Sequence, residues 1–209
     1  MKFTKIGLFS QEKDVSKMVG KFDLILLDEA EFNAYEEDQL EILDIYNENN
    51  TRIGAASRKA YIKLGLTTRA AHMLVFNSKG LVFLQKRSAN KDTYPGYFSP
   101  SAAGHVGLGE EPELAASREM KEELGIESPV HFLGVFKCFK PENIVNQFYY
   151  FYVVRSDQPI KADKEEIASG GFYSLEQVKS DFDWEKFVPA LKHELNRFDG
   201  DIRTWLENH

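Results

Sequence analysis

Residues 104–126 read GHVGLGEEPELAASREMKEELGI, a glycine-rich loop followed by a proline and then by a run of helix formers that carries Glu119, Glu122 and Glu123. Helical steps of 100° put residues three and four apart on one side, so the three carboxylates fall within an arc of about 100°. Like charges this close repel one another, and a hard divalent cation such as Mg²⁺ or Mn²⁺ relieves the repulsion because it takes oxygen ligands. A second face of the same helix carries Ala116, Met120 and Leu124, which predicts packing on a core beside the acids. Pro112 suits the first helical turn, where its missing N–H is not needed, and Gly125 suits the position just past the end. Arg118 stands four before Glu122 and can hold its carboxylate. An ordinary solvated charged helix has the same acid spacing, so spacing alone leaves both readings open.

Around this stretch lies a chain of 209 residues, 43% apolar and 13% aromatic, which can bury a sizeable core as one domain with appendages. A single cysteine, Cys138, excludes an intramolecular disulfide, and its apolar neighbours in VFKCF predict a buried small hydrophobe. No run approaches the roughly 18 apolar residues of a membrane span. The opening MKFTKIGLFSQEKD has too short an apolar stretch for a signal peptide, so a cytoplasmic location is expected. The net charge of −7 lies entirely in residues 1–50, with 12 acids against 5 lysines. Such a segment disfavours nucleic acid as a partner and reads as a solvated surface.

In chain order, residues 1–38 form an N-terminal extension with one apolar run, FDLILL, and an acidic stretch after it; it either covers the core or makes a homodimer contact. LEILDIY, NENN and TRIGAAS read as strand, turn and return strand. Residues 58–64 read as a short helix closed by Gly65, and residues 70–76 and 81–85 as a second hairpin about NSKG. KRSANKDTYPGYFSPSAAG is expected to be a loop feeding the glycine-rich stretch. Residues 130–138 and 146–154 read as strands, the second rich in aromatics that pack across strands or, for one of them, stack on a base. A strand or turn begins at Phe172, and a helix follows Ser174, a good N-cap. In the tail, Phe187, Leu191, Leu195 and Phe198 predict an amphipathic helix that Asp199-Gly-Asp201 breaks. Strands before and after a central helix imply an α/β protein with a mixed sheet between helices.

The stretch resembles the Nudix box, Gly-x5-Glu-x7-Arg-Glu-apolar-x-Glu-Glu-x-Gly-apolar, through Gly104, Glu110, Arg118, Glu119, Met120, Glu122, Glu123, Gly125 and Ile126, without departure. Seven fixed residues at fixed spacing arise by accident on the order of once in 10⁸ windows or fewer. The resemblance implies a Nudix fold over about residues 39–180, with residues 181–209 as a helical tail. It also implies hydrolysis of a small molecule, a nucleoside diphosphate linked to another group, with Mg²⁺ or Mn²⁺. A pyrophosphate repels nucleophiles, so the reaction needs charge neutralisation, an activated water and positioning. Glu119, Glu122 and Glu123 are the candidate ligands, and the family adds the Gly104 carbonyl. Glu110 is expected to order the loop–helix junction.

For the general base the sequence offers a box glutamate or Glu165 or Glu166, since related proteins often carry a glutamate in this later loop. Arg69, Lys86 and Arg87, at strand ends, are candidates for gripping phosphate. His105 is either a phosphate or metal contact or a loop histidine without a role, and His72, in an apolar strand, reads as a hydrogen-bonded core histidine. A narrower similarity, through LDIYNENNTRIGAASR, GLTTRAAHMLVFNSKG and QKRSANKDTYPGYFSPSAAGHVGLGE, is to the Nudix branch that includes isopentenyl-diphosphate isomerases. Those isomerases carry a cysteine where this chain has Ala103 and a metal-ligating histidine where it has Thr68. The scaffold is therefore shared and the isomerase chemistry is not supported. The third reading, a noncatalytic module, leaves the retention of every box acid unexplained.

Overall fold

Thr67–Phe76, here β4, is buried almost throughout, and only Arg69 is half-exposed. A strand buried on both faces reads as a continuous apolar run, which is why AAHMLVF shows no alternation. The structure, a computed structural model, describes residues 24–25, 30–31, 34, 39–91, 93–138 and 146–209, without the side chains of 24, 25 and 138. The expected burial of Cys138 therefore lies outside the described residues. Among the described residues the strands form two sheets, and the chain divides into two compact units. The first comprises residues 1–70, 105–111 and 136–148, and the second residues 71–104, 112–135 and 149–209.

In the first unit, β1 (Leu24–Ile25), β2 (Ile42–Tyr46) and β3 (Arg52–Ser57) make a three-stranded sheet in the order β1-β3-β2. The β2–β3 hairpin is antiparallel, with Leu43 opposite Ala56. Asn47 closes it by accepting the Asn49 and Thr51 N–H groups at 2.9 and 3.0 Å, and Asn50 takes a φ of 59°, which asparagine tolerates better than most residues. Helix α1 (Arg58–Leu64) starts at Ser57, whose hydroxyl accepts from the Ala60 N–H, and stops at Gly65 with φ 61°. Leu43, Ile45, Ala56, Ala60, Tyr61 and Leu66 form its core. Two pieces of the acidic extension join this unit: β1 pairs parallel with β3, and the buried Glu31 accepts the Ser57 hydroxyl at 2.9 Å. The rest of the extension, and with it the dimer expectation, falls outside the described residues.

The larger sheet runs β10-β5-β4-β9-β8, with β6 on β5 and β7 on β4. Its strands besides β4 are β5 (Val82–Arg87), β6 (Phe98–Ser99), β7 (Ala102–His105), β8 (Val130–Cys138), β9 (Asn146–Arg155) and β10 (Ile167–Tyr173). The helices are α2 (Pro112–Leu124), α3 (Leu175–Ser180), α4 (Pro189–Arg197) and α5 (Asp199–Asn208). Ser174 caps α3 reciprocally with Gln177, and α4 buries Leu191 and Leu195. His72 is a hydrogen-bonded core histidine: its Nδ1 lies 2.7 Å from the fully buried Glu194 of α4, and its ring meets Tyr149 edge-on.

Three sequence expectations change. The segment expected as a loop holds β6 and β7, because PSAAG shows none of the β-branched pattern of a strand and neighbouring β5 and β4 supply the pairing. Strand β10 begins at Ile167 and not at Phe172, since the small residues Ala168 to Gly171 hide it while β5 pairs with it from Arg87 to Val82. The tail helix is interrupted one residue before the expected Asp199-Gly-Asp201, at Phe198, and those three residues form the first turn of α5, where two acids face the positive end of the helix dipole.

At the end of α2 the chain turns on Gly125, with φ 67°, while the Gly125 and Ile126 N–H groups bond back to Lys121 and Met120 at 3.0 and 3.3 Å. A Cβ there would also lie 3.1 Å from that of Lys161. Gly125→Ala should therefore lower unfolding free energy by about 1–2 kcal/mol, read as a lower urea midpoint at constant slope.

Candidate active site

Pro112 opens α2, Glu113 lies in its first turn and Lys121 in its last, as the helix dipole favours. Ala115, Ala116, Met120 and Leu124 are fully buried and set the rotation of the helix. Because these residues anchor one side, Glu119 and Glu123, one turn apart, are carried inward, with Glu123 only 6% exposed. Glu122 stays at the rim, its side chain 59% exposed.

Each carboxylate has a defined neighbour. Arg118 Nη1 bonds Glu119 Oε1 at 2.7 Å and Glu122 Oε2 at 3.0 Å. The Glu119 carboxylate occupies the space left by the missing side chain of Gly104, where a Cβ would overlap it. Glu123 Oε2 accepts from the buried Gln85 amide at 2.7 Å, and the same amide reaches the Ser101 carbonyl at 3.2 Å. Ser101 is itself a buried bolt, accepting from Val75 N–H and donating to the Phe83 carbonyl. Burial pushes the Glu123 carboxyl up to about 8; the charges of Glu119 and Glu166 add to the rise, while the Gln85 bond and a backbone bond from Ala103 oppose it.

The Glu165–Glu166 pair separates. Glu165 is exposed, whereas Glu166 bonds Lys91 through Oε2 and lies near enough to Glu123 for their charges to interact. Lys86 is exposed, and Arg87 bonds Thr93 through Nε and Nη2 at 2.9 and 3.3 Å, fastening the loop after β5 to that strand. All these groups belong to the second unit.

Arg69, His105 and Glu110 belong to the first unit. Arg69 bonds the side chain and carbonyl of Asn50 at 2.8 and 3.0 Å and lies over the Tyr46 ring. Glu110 accepts the Gly107 N–H at 2.8 Å, and the buried Asp44 accepts that of Gly109 at 2.9 Å. Both ring nitrogens of His105 are engaged, Nδ1 with Glu41 at 3.1 Å and Nε2 with the Tyr61 hydroxyl at 3.2 Å. Thr68 is fully buried and receives the Gln147 amide.

Sequence reasoning did not find Gln85, Ser101, Lys91 or the Glu41–His105–Tyr61 chain. A glutamine within the apolar run LVFLQ was a signal for the first of these; the others carry no local signature.

The fold and this arrangement define an α/β protein with the Nudix architecture. The NUDIX domain profile matches residues 66–193, and the chain belongs to the Nudix family of enzymes, whose common reaction is pyrophosphate hydrolysis. It is 32% identical over 145 residues to an uncharacterized Nudix hydrolase of Pseudomonas aeruginosa, covering 67% of this chain and 85% of that one. It is 28% identical over 143 residues to isopentenyl-diphosphate Delta-isomerase 2 of Photorhabdus laumondii, covering 67% and 81%. The crystal structure of DR0079 from Deinococcus radiodurans aligns with a TM-score of 0.65 and 26% identity, covering 75% of this chain and 98% of that one. Among the described residues no helix is long and apolar enough to cross a membrane.

Nudix hydrolases generally use divalent metal ions, and the donor set here suits a hard one. The groups are all oxygens, and the buried Glu123 carries a repulsion from Glu119 and Glu166 that a cation would relieve. Among the described residues no three acidic, histidine or cysteine side chains converge closely enough to hold an ion as they stand. Arg118 engages Oε1 of Glu119 and Oε2 of Glu122, one oxygen of each carboxylate.

Glu41 supplies a pH test in the first unit. Burial disfavours its charge, but the bond to His105 and the charges of His105 and Arg58 outweigh it and hold the carboxyl at about 2. A depressed carboxyl contributes stability above its unfolded value of about 4.5 and loses it as pH falls toward 2. Glu41→Gln should therefore destabilise the protein at pH 7, and the gap between the two urea midpoints should narrow as pH is lowered from 5 to 3.

Proposed function

We propose that this protein hydrolyses the pyrophosphate link of a nucleoside diphosphate derivative, using Mg²⁺ or Mn²⁺ bound by the box glutamates. The observation that supports it most is the gathering of acids in the second unit: Glu123 buried, Glu119 in the space beside Gly104, and Glu166 close enough for its charge to act on Glu123. A bound divalent ion would neutralise phosphoryl charge and make a water more acidic. Glu119 and Glu123, with Glu122 at the rim and the Gly104 carbonyl, are the groups that would hold it. Gln85 keeps the Glu123 carboxylate turned in one direction, and Arg118 does so for Glu119 and Glu122.

Glu166 is the proposed base, because of the two candidates in its loop it is the one whose charge acts on Glu123; it takes the proton of the attacking water. Lys86 and Arg87, at the end of β5, are the proposed phosphate contacts. For substrate phosphate, Arg87 would exchange its bonds to Thr93.

The relatives named isopentenyl-diphosphate isomerases favour a second reading. Moving an allylic proton on and off carbon demands a positioned acid and base, and Ala103 offers no ionisable group at the isomerase cysteine position. Hydrolysis makes no such demand.

The test incubates the protein with Mg²⁺ and a panel of nucleoside diphosphates, nucleotide sugars and dinucleotides, and separately with isopentenyl diphosphate in deuterated water. Cleavage of a panel member without allylic deuterium is expected; deuterium uptake at enzymatic rates with no panel member cleaved would overturn the proposal. Glu122→Gln or Glu123→Gln should lower kcat by about 10² or more with the circular dichroism unchanged. Wild-type turnover in both would sink the ligand assignment. Glu166→Gln should cost about 10² to 10⁴ with Mn²⁺ affinity retained, and a loss under about threefold returns the base to the box.

A further inference from the structure

The ion pair between Lys91 and Glu166 has no evident structural need. Their side chains are 22% and 37% exposed, and partly exposed pairs contribute only about 0–1 kcal/mol. Yet the chain holds the pair in place from both ends. Arg87 N–H bonds the Tyr97 carbonyl at 2.9 Å and Gly96 N–H bonds the Arg87 carbonyl at 3.1 Å, closing the excursion between β5 and β6. Inside it, the Arg87 guanidinium grips Thr93, the Ser88 hydroxyl receives the Asn90 N–H at 3.2 Å, and Tyr94 is held at a φ of 51°, a conformation that L side chains rarely adopt. The Glu166 backbone is tied to the same loop, since its carbonyl accepts the Ser88 N–H at 2.9 Å. The Lys91 N–H bonds the Ser88 carbonyl at 3.4 Å, so Lys91 and Glu166 are each tied to Ser88 at the backbone before their side chains meet.

With this pair each acid of the group has a donor. Arg118 takes Glu119 and Glu122, Gln85 takes Glu123, and Lys91 takes Glu166. Lys91 engages only Oε2 of Glu166, and Oε1 accepts no hydrogen bond among the described residues. A carboxylate held by one oxygen presents the other in a set direction, and a base displaced by about 1 Å can lose about 10² in rate.

We propose that Lys91 is a positioning residue for Glu166: its ammonium pins Oε2 so that Oε1 is presented to receive the proton of the attacking water. This rests on the reading of Glu166 as the base. Lys91 touches neither substrate nor metal in this role; it acts through Glu166 alone.

The test is a double-mutant cycle on the fastest-cleaved member of the substrate panel, joined to a spectrum of the metal-free protein. Lys91→Met should lower kcat about tenfold with KM within about threefold, and Lys91→Arg should restore most of the loss. In the Glu166→Gln background, adding Lys91→Met should change kcat by less than about twofold, because a residue that acts through another has nothing left to position. In ¹H–¹⁵N spectra of lysine ammonium groups, the signal that Lys91→Met removes should shift in Glu166→Gln. A raised KM with kcat intact, or an equal tenfold loss in both backgrounds, would overturn the proposal, as would an ammonium signal indifferent to Glu166→Gln. If Glu166→Gln alone costs under about threefold, it is the base assignment that fails. An impaired Glu166→Gln enzyme with an additive Lys91→Met loss instead marks failure of the positioning role alone.

Discussion

A carboxylate buried among other carboxylates is the constraint on which the second unit turns. Glu123 is 6% exposed, and the charges of Glu119 and Glu166 act against its ionisation. A fold keeps such an arrangement only when surrounding contacts over-determine it. Here they do: fully buried Ala115, Ala116, Met120 and Leu124 fix the rotation of α2, and Gln85 holds the carboxylate. Beyond the helix, the Glu123 and Leu124 carbonyls accept the Asp163 and Lys161 N–H groups at 2.9 and 2.8 Å. The segment leading to Glu166 is thereby fastened to the end of the box helix.

The same economy of small residues recurs where backbone and acid meet. Gly104 has no side chain because the Glu119 carboxylate stands where one would be, and Gly125 turns the chain in a conformation that a Cβ would strain. Two of the box glycines therefore have different physical causes, close approach in one case and a left-handed turn in the other. In the first unit, Asp44 and Glu110 each accept a glycine N–H of the loop that precedes the helix. Glu41, His105 and Tyr61 form a chain of hydrogen bonds there, and Arg58 adds its charge at the far end.

Much of the fold was legible because its signals are local. The hairpin at Asn47, the stop at Gly65 and the N-cap at Ser174 each depend on residues within a few positions of one another, and each stands where the sequence implied. The strands at residues 98–99 and 102–105 were not legible, since small residues without β preference take extended form only when a neighbouring strand supplies the hydrogen bonds. In the tail the break stands at Phe198, next to the glycine between two aspartates that signalled it, but those three residues are themselves helical because packing of Ile202 and Trp205 outweighs propensity.

For the site, the spacing of Gly104, Glu110, Arg118, Glu119, Glu122, Glu123 and Gly125 by itself determined the family, because a helix and its flanking loop are one continuous segment whose geometry is set by sequence distance. Spacing also placed Arg118 four before Glu122, within reach of it. Only the tertiary structure decided which acid lies inside and which at the rim, that Gln85 is the partner of Glu123, and that Glu166 is the partner of Lys91. These pairings join residues 38 and 75 positions apart, Gln85 with Glu123 and Lys91 with Glu166. No local periodicity carries such information, since it arises only when sheet register brings separate strands and loops together.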